Sequence, residues 1–260
     1  MPRTPTGESS LARAIRVLAA FTPQHNALTV SAIARRSQLH VATASRIVSE
    51  LIAHGMLERG DNREVRIGIR FWELATRASP AVTLHQVALP YLSDIHAVVD
   101  HHVQLGVLDG DDVLFLERLS ARQPVVNYSR VAGRLPLHAS SAGHVLLAFG
   151  SSDLQRRVLN QPLTAYTDRT VTHAGDLRAA LELVRRRGYA LLGGHIHPDA
   201  AGLAVPVFDA LNKCVAAISI VGPRDDHLAT HVSLLLATAR GIRRGLTALP
   251  STPPSPGLPG

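Results

Sequence analysis

The side chains best suited to recognising another molecule lie in residues 33–51, IARRSQLHVATASRIVSEL. Two runs of helix-forming residues meet at a short turn, and the second run carries small side chains and one arginine where a solvated helix usually shows several charges. A helix in the DNA major groove must approach base edges closely, so its outward residues are short and few are acidic. The pattern therefore predicts a helix-turn-helix whose second helix, from about His40 to His54, binds DNA. Its inward stripe is expected to consist of Ala44, Ile47, Val48 and Leu51.

The outward face offers several kinds of contact. Val41 and Ala42 suit a thymine methyl group, whereas Thr43, Ser45 and Arg46 suit a base edge or a phosphate. The DNA-contacting residues expected on this helix, at its start and at the end of the preceding helix are His40, Val41, Ala42, Thr43, Ser45, Arg46, Arg35 and Arg36.

A hairpin is predicted after this helix, with residues 57–59 and 64–67 pairing around Gly60-Asp61-Asn62. Arg59, Asn62 and Arg63 at its tip are expected to reach the minor groove or flanking phosphates. The helices and hairpin together predict a winged helix-turn-helix. Winged folds also serve as protein-docking modules, and that alternative stays open, although charge, helix face and hairpin together favour DNA.

A second set of polar groups lies in residues 136–148, PLHASSAGHVLLA. Small residues lead into a helix that starts near Ser141, so that free amide groups and the positive end of the helix dipole face one point. Such a point suits a carboxylate, a carbonyl or a hydroxyl group. A plain capping turn is the alternative interpretation.

Catalytic and metal chemistry are disfavoured by the motifs. Ser140 and Ser141 lie near two histidines, but the G-x-S-x-G elbow is missing and no acid is obviously paired with them. His195 and His197 would share one side of an extended segment, without an HExxH spacing or a cysteine pair. We therefore expect no catalytic residues, no metal site and no cofactor.

The length and the charge of the chain limit the classes of protein to which it can belong. The 260 residues are enough for two domains, and the formal charge of +7 is concentrated in residues 1–78, which hold 11 arginines against six carboxylates. Surplus arginine on a small domain favours phosphate binding. No apolar run is long enough to span a bilayer, the first residues lack the core of a secretion signal, and Cys214 is the lone cysteine, so we expect a cytoplasmic protein.

Beyond the hairpin, periodicity predicts helices and strands in an α+β arrangement. A helical stripe of Ala88, Leu92, Ile95 and Val99 precedes strands over 103–107 and 113–119. Further strands are predicted over 189–192, 203–208 and 215–221, with helices over 176–187 and 227–246. Tight turns between neighbouring strands favour an antiparallel sheet.

Five stretches carry a resemblance to the IclR family of bacterial transcriptional regulators. They are SLARAIRVLAAF at 10–21, LTVSAIARRSQL at 28–39, GRLPLHASSAGHVLLAF at 133–149, RRRGYAL at 185–191 and AVPVFDALNKCVAAISIVGP at 204–223. The resemblance implies a winged helix-turn-helix over 9–68, a linker helix over 69–83 and a GAF-like, antiparallel-sheet effector-binding domain over 84–249. It also implies a homodimer, or a dimer of dimers, on palindromic operator DNA. Composition predicts disordered tails, because 1–8 is short and polar and 250–260 is rich in proline and glycine.

The sequence departs from the family's pattern in the effector site. Family members that bind keto acids use an aspartate, a cysteine and two serines, and these positions fall here on Leu192, Gly202, Ser219 and Val221. Because three of the four polar groups are missing, we expect a larger, more apolar effector, such as an aromatic or acyl acid, with its polar end at the amides of 140–143. The expected effector-binding residues are Ser140, Ser141, Ala142, Gly143, Leu192, His195, Gly202, Ser219 and Val221, with His195 donating to the ligand.

Another departure is Gln38, at a turn position where many members have glycine. Either its backbone stays in an ordinary conformation or Gln38 accepts strain. The favoured function is a ligand-responsive DNA-binding regulator of a metabolic or catabolic operon. A metabolite-binding enzyme and a DNA-binding protein without an effector are the alternatives.

Overall fold

The computed structural model describes residues 8–121, 129–224 and 226–248. Apart from Glu8, the tails predicted at 1–8 and 250–260 lie outside the described residues. The chain divides between Ser79 and Pro80 into two compact units. The first unit contains the predicted DNA-binding helices and hairpin, and the second contains the larger sheet.

Three short helices begin the first unit: α1 Ser10–Ala19, α2 Val30–Arg36 and α3 Val41–Ala53. Each starts after a residue whose side chain accepts a hydrogen bond from a first-turn amide, the capping residues being Ser9, Thr29 and His40. The predicted inward stripe of α3 is buried at Ala44, Ile47 and Val48. The apolar core of the unit consists of Val17, Ala20, Leu28, Ile33, Ile47, Val48, Leu57 and Val65.

A three-stranded antiparallel sheet completes this unit. Its strands are β1 Ala27–Thr29, β2 Leu57–Arg59 and β3 Glu64–Ile67, in the order β1-β3-β2. The hairpin of β2 and β3 confirms the prediction. The sequence did not indicate β1, because three residues are too few to display an alternating pattern.

The turn between α2 and α3 is strained at Gln38, whose φ is +53°. The structure therefore selects the second of the two alternatives for this residue, a left-handed backbone that glycine would adopt more easily. Arg16 of α1 secures the turn, with Nε donating to Ser37 O at 2.9 Å and Nη2 to Gln38 O at 3.0 Å. These bonds satisfy carbonyls that the end of α2 would otherwise leave unpaired.

The linker helix expected over 69–83 is replaced by two helices. The first, α4, spans Arg70–Ala78, and the second, α5, spans Pro80–Val99. Ser79 between them is extended, with φ −86° and ψ 114°. The break follows from local sterics, because the ring of Pro80 disfavours helical backbone in the residue before it.

The second unit is built on a six-stranded antiparallel sheet. Its strands in chain order are β4 His102–Asp109, β5 Asp112–Leu119, β6 Arg134–Pro136, β7 Ala190–Gly193, β8 Ala200–Phe208 and β9 Cys214–Pro223. Across the sheet they run in the order β6-β5-β4-β9-β8-β7. The three strands predicted late in the sequence are β7, β8 and β9, although β8 begins three residues earlier than expected.

The two faces of the sheet are covered by different helices. On one face, α5 packs with α9 Val232–Ala248 over Leu203, Val205 and Ile218. On the other lie α6 Ser141–Ala148, α7 Ser152–Leu159 and α8 Ala174–Arg187. The final helix begins later than predicted, because a 3-10 turn over Asp226–His231 precedes α9.

All eight residues of α6 are buried. Such a helix needs small side chains, and a Cβ at Gly143 would lie 2.3 Å from the carbonyl oxygen of Leu137. The glycine thus allows the start of α6 to pack against the chain that leads into it. This close packing fixes the start of α6 over the sheet near β8 and β9, where the predicted pocket residues lie.

Candidate nucleic-acid interface and ligand pocket

The face of α3 that points away from the core is exposed and has short side chains. Val41 is 52% exposed, Ala42, Ser45 and Arg46 are exposed, and Thr43 is half-buried. Arg46 pairs only loosely with Glu50, at 3.6 Å between exposed side chains. An exposed pair of this kind contributes little to stability, so Arg46 can leave it for another partner.

The residues flanking α3 have additional structural roles. His40 Nδ1 accepts from Ala42 N at 3.3 Å, so a neutral His40 carries its proton on Nε2, which is left as a donor. Arg35 is exposed. Arg36 donates from Nε to Ala20 O at 2.8 Å and so holds the end of α1, which leaves only its remaining nitrogens for a phosphate.

The tip of the β2–β3 hairpin is also exposed. Asn62 and Arg63 have φ values of +56° and +61°, and together with Arg59 they project from the first unit. Gly60 N donates to Glu64 O at 3.0 Å and closes the turn. The hairpin therefore presents two arginines and an amide at the end of a narrow wing.

A pocket in the second unit lies between the start of α6, the residues after β7 and the sheet. Its lining includes eight of the nine predicted effector residues: Ser140, Ser141, Ala142, Leu192, His195, Gly202, Ser219 and Val221. Leu192, Gly202 and Val221 form one row across β7, β8 and β9. Register across strands thus unites residues that are far apart in the sequence.

Gly143 is not part of the pocket lining, contrary to the prediction. Ser140 caps α6, and its Oγ accepts from Gly143 N at 3.1 Å. The main-chain carbonyl of Ser140 accepts from His144 N at 2.9 Å. The amide of Gly143, which was predicted to bind the ligand, is therefore used by the cap. A ligand can still reach the start of α6 at Ser141 and Ala142.

His195 lines the pocket as an acceptor rather than as the predicted donor. Its Nδ1 lies 3.2 Å from Gly193 O, and a proton donated there leaves a lone pair on Nε2. Burial lowers the pKa of His195, so the ring is neutral near pH 7. Its neighbour His144, at a ring-centroid distance of 6.4 Å, is fully buried, and burial lowers the pKa of His144 to about 4.

The lining also contains groups that sequence reasoning missed. Phe115, Leu135 and Ile196 make the wall more apolar, and Gln104 of β4 adds an amide. Ser219 donates from Oγ to Gln104 Oε1 at 3.4 Å, across 115 residues of sequence. The side-chain nitrogen Nε2 of Gln104 is buried and has no hydrogen-bond partner within the described ranges.

The cavity has a volume of about 60 Å³. Benzene is held by an engineered cavity of about 150 Å³, so an aromatic ring exceeds the space present here. The residues after β7, among them His195 and Ile196, form part of the wall. We therefore expect this part of the wall to move outward when a ligand with a ring binds.

Hydrolytic chemistry finds no pairing in the structure. His138 Nε2 donates to Thr164 O at 2.9 Å and His144 Nε2 to His138 O at 2.7 Å. Among the described residues, neither ring is hydrogen-bonded to the hydroxyl group of Ser140 or Ser141. Across residues 8–121, 129–224 and 226–248, no three histidines, cysteines or carboxylates are grouped to hold a metal ion. Within the same ranges, none of the helices has the length and apolarity needed to cross a membrane.

Comparison with known proteins gives matches over nearly the whole chain. A model described as IclR helix-turn-helix domain matches residues 10–61, and one described as bacterial transcriptional regulator IclR C-terminal matches residues 77–244. Similar proteins include the HTH-type transcriptional regulator XynR of Escherichia coli, 27% identical over 81% of this chain and 84% of its own. The probable transcriptional regulator SauR of Cupriavidus necator is 30% identical over the same shares.

A solved structure also matches nearly the whole chain. An IclR homolog from Microbacterium hydrocarbonoxydans, crystallised in complex with 4-hydroxybenzoate, is 44% identical, with a TM-score of 0.86 over 92% of this chain and 99% of that one. XynR and SauR are both named as transcriptional regulators.

Proposed function

The chain belongs to the IclR family of bacterial transcriptional regulators, and we propose that it controls a catabolic operon in response to an apolar organic acid. In this proposal α3 and the β2–β3 wing bind operator DNA, and the acid binds in the pocket of the second unit. The regulator works in the cytoplasm, where the operator is.

The exposed face of α3 carries the DNA-binding half of the proposal. Its buried side, Ile47 and Val48, anchors the helix in the core, so the opposite side is held rigidly outward. Val41, Ala42 and Ser45 are short enough for a base edge to approach, and Arg46 is suited to guanine or phosphate. The exposed cations Arg35, Arg59 and Arg63 are assigned to the phosphate backbone.

The lining of the pocket supports an acid with an apolar body. Neither lysine nor arginine lines it, so an acid group is bound at the start of α6, where amides and the helix dipole favour negative charge. Leu192 and Val221, on either side of Gly202, place aliphatic side chains where keto-acid binders of the family have polar ones. Because the relative that is 44% identical was crystallised with 4-hydroxybenzoate, we assign an aromatic acid of this kind to the pocket.

A second copy of the chain is the proposed partner on DNA. Leu11 and Ile15 on α1 are 71% and 56% exposed, and Ile69 and Trp72 at α4 are 68% and 66% exposed. Each pair lies three or four residues apart on one helical face, where large apolar side chains usually mark an interface. Two-fold pairing through these residues would place two α3 helices on the half-sites of a palindrome.

Binding of the acid alters operator affinity by favouring one arrangement of the two copies. The decisive experiment is footprinting on the DNA beside the gene, followed by fluorescence anisotropy of the protected palindrome with and without 4-hydroxybenzoate. A protected palindrome whose affinity changes with the acid supports the proposal. If no DNA is protected, the DNA-binding assignment is wrong; if DNA binds but no aromatic acid alters its affinity, the effector assignment is wrong.

A further inference from the structure

Gln104 places an unsatisfied amide inside the pocket wall. The residue is the third of β4, is 2% exposed and pairs in register with Ser219 of β9. Its Nε2 has no hydrogen-bond partner among the described residues, although Oε1 accepts from Ser219 Oγ at 3.4 Å. Native proteins rarely leave a buried amide unpaired, so each case calls for a cause.

Interchanging the nitrogen and the oxygen of the Gln104 amide still leaves one of its atoms without a hydrogen-bond partner among the described residues. If nitrogen and oxygen are interchanged, Ser219 Oγ can accept from the nitrogen, and the oxygen is then the atom without a partner. The nearby wall residues Phe115, Leu135 and Val221 offer no side-chain hydrogen-bonding group. Gln104 lines the pocket, so a bound molecule is the partner that we consider for this amide.

Gln104 lies at the opposite end of the pocket from the start of α6. Ser141 sits directly over Gly202, because a Cβ on that glycine would be 2.6 Å from Ser141 Oγ. Gly202 of β8 pairs with Val221 of β9, and Gln104 of β4 pairs with Ser219 of β9. Gly202 and Gln104 are therefore two strands apart across the sheet and two residues apart along it. Ordinary sheet spacing puts their Cα atoms roughly 12 Å apart. The pocket thus has two polar ends with an aliphatic wall between them.

We propose that the effector carries a hydroxyl group at the end remote from its acid group, and that Gln104, with Ser219, binds that hydroxyl. A hydroxyl group both donates and accepts, so it pairs with the free atom of the amide in either orientation. A second carboxylate fits poorly, since no lysine or arginine lines the pocket. The inference rests on the proposed acid site at α6 and narrows the effector class to hydroxylated aromatic or acyl acids.

The test compares 4-hydroxybenzoate with 4-methylbenzoate, which has nearly the same shape, by isothermal titration calorimetry on the full chain. Native protein should bind the hydroxy acid at least roughly tenfold more tightly, because a site built around a hydroxyl group rejects its apolar analogue. Gln104→Met keeps the length of the side chain but not the amide, and should abolish this preference while retaining 4-methylbenzoate. Gln86→Met, on an exposed position of α5, is the matched control and should behave as the native protein.

The outcomes distinguish failure of the hydroxyl site at Gln104 from failure of the proposed acid site at α6. Equal binding of both acids by native protein, as expected if a water molecule already satisfies Gln104, would overturn the inference and leave the acid site intact. A preference that survives in Gln104→Met would also overturn it. If neither acid binds native protein, the proposed effector class is wrong and the inference falls with it. Should Gln104→Met fail to fold, the comparison on native protein still decides, and Ser219→Ala, with a weakened preference expected, replaces the variant.

Discussion

Substitution of Gly202 by alanine should reduce effector binding without disturbing DNA binding. The new Cβ would lie 2.6 Å from Ser141 Oγ, well inside the 3.4 Å at which ordinary contact begins. In the empty pocket the serine can turn into the cavity of about 60 Å³ and relieve the overlap. When the acid occupies that space, the serine has nowhere to turn, so the penalty falls on the bound state.

The magnitude follows from the cost of overpacking, which is about 1 to 3 kcal/mol. Since about 1.4 kcal/mol corresponds to a tenfold change, affinity for 4-hydroxybenzoate should fall about fivefold to 150-fold. Calorimetry measures this loss, and fluorescence anisotropy on the operator without ligand should show no change. Gly175→Ala is the matched control, because a Cβ there meets no atom within 4 Å.

Two results would refute this reasoning. If Gly202→Ala binds the acid as tightly as native protein, Ser141 does not approach the ligand and the pocket is misassigned. If the variant instead loses operator affinity at zero ligand while Gly175→Ala does not, the effect of the residue lies in the fold rather than in the pocket.

Arg46→Ala should weaken operator binding roughly tenfold to hundredfold, the usual value of one base contact, with no change in ligand affinity; anisotropy that matches the equally charged control Arg178→Ala would contradict the DNA assignment. Gln38→Gly should raise the unfolding free energy of the first unit by about 0.5 to 1 kcal/mol, because relief of left-handed strain outweighs the added chain entropy; an unchanged or lower urea midpoint would count against that strain. Burial lowers the pKa of His144 from 6.5 to about 4, so between pH 6.5 and pH 4 the folded protein binds fewer protons at this residue than the unfolded chain does. The contribution of neutral His144 to stability is therefore complete above pH 6.5 and declines as the pH falls toward 4. The loss between pH 7.5 and pH 5 should be about 2 kcal/mol, measurable in urea titrations and reduced in His144→Gln; equal pH dependence in the two proteins would be the contrary result.

Features of the first unit that depend on local sequence were predicted well. The inward stripe of α3, its end at His54 and the β2–β3 hairpin are set by residues within a few positions of one another. The break at Ser79 follows from an equally local rule, since Pro80 disfavours helical backbone in the residue before it; the linker helix that the family resemblance implied over 69–83 runs across this break. The three-residue strand β1 pairs with β3 far along the chain, since the partner of Ala27 is Arg66, 39 positions later. No local pattern reveals such a pairing.

The pocket depended more on tertiary structure. The helix start at Ser141 was visible in the sequence, yet whether an amide faces a ligand or its own cap depends on the rotamer of Ser140. The sequence therefore did not show that the amide of Gly143 bonds to the Ser140 hydroxyl. Gln104 had no sequence signal, because a glutamine in a buried strand gains meaning only from the empty space beside it. The donor or acceptor role of His195 was likewise fixed by a backbone contact with Gly193.

The small volume of the cavity has a consequence for how much metabolite the cell must accumulate before the switch responds. If an aromatic acid fits only when the segment after β7 has moved aside, its apparent dissociation constant equals the intrinsic one divided by the fraction of molecules already open. An open fraction of about 1% would raise the triggering dose about a hundredfold. Substitutions in residues 194–199 that never touch the acid would therefore reset the sensitivity of the regulator, and selection could adjust it without altering which compound is sensed.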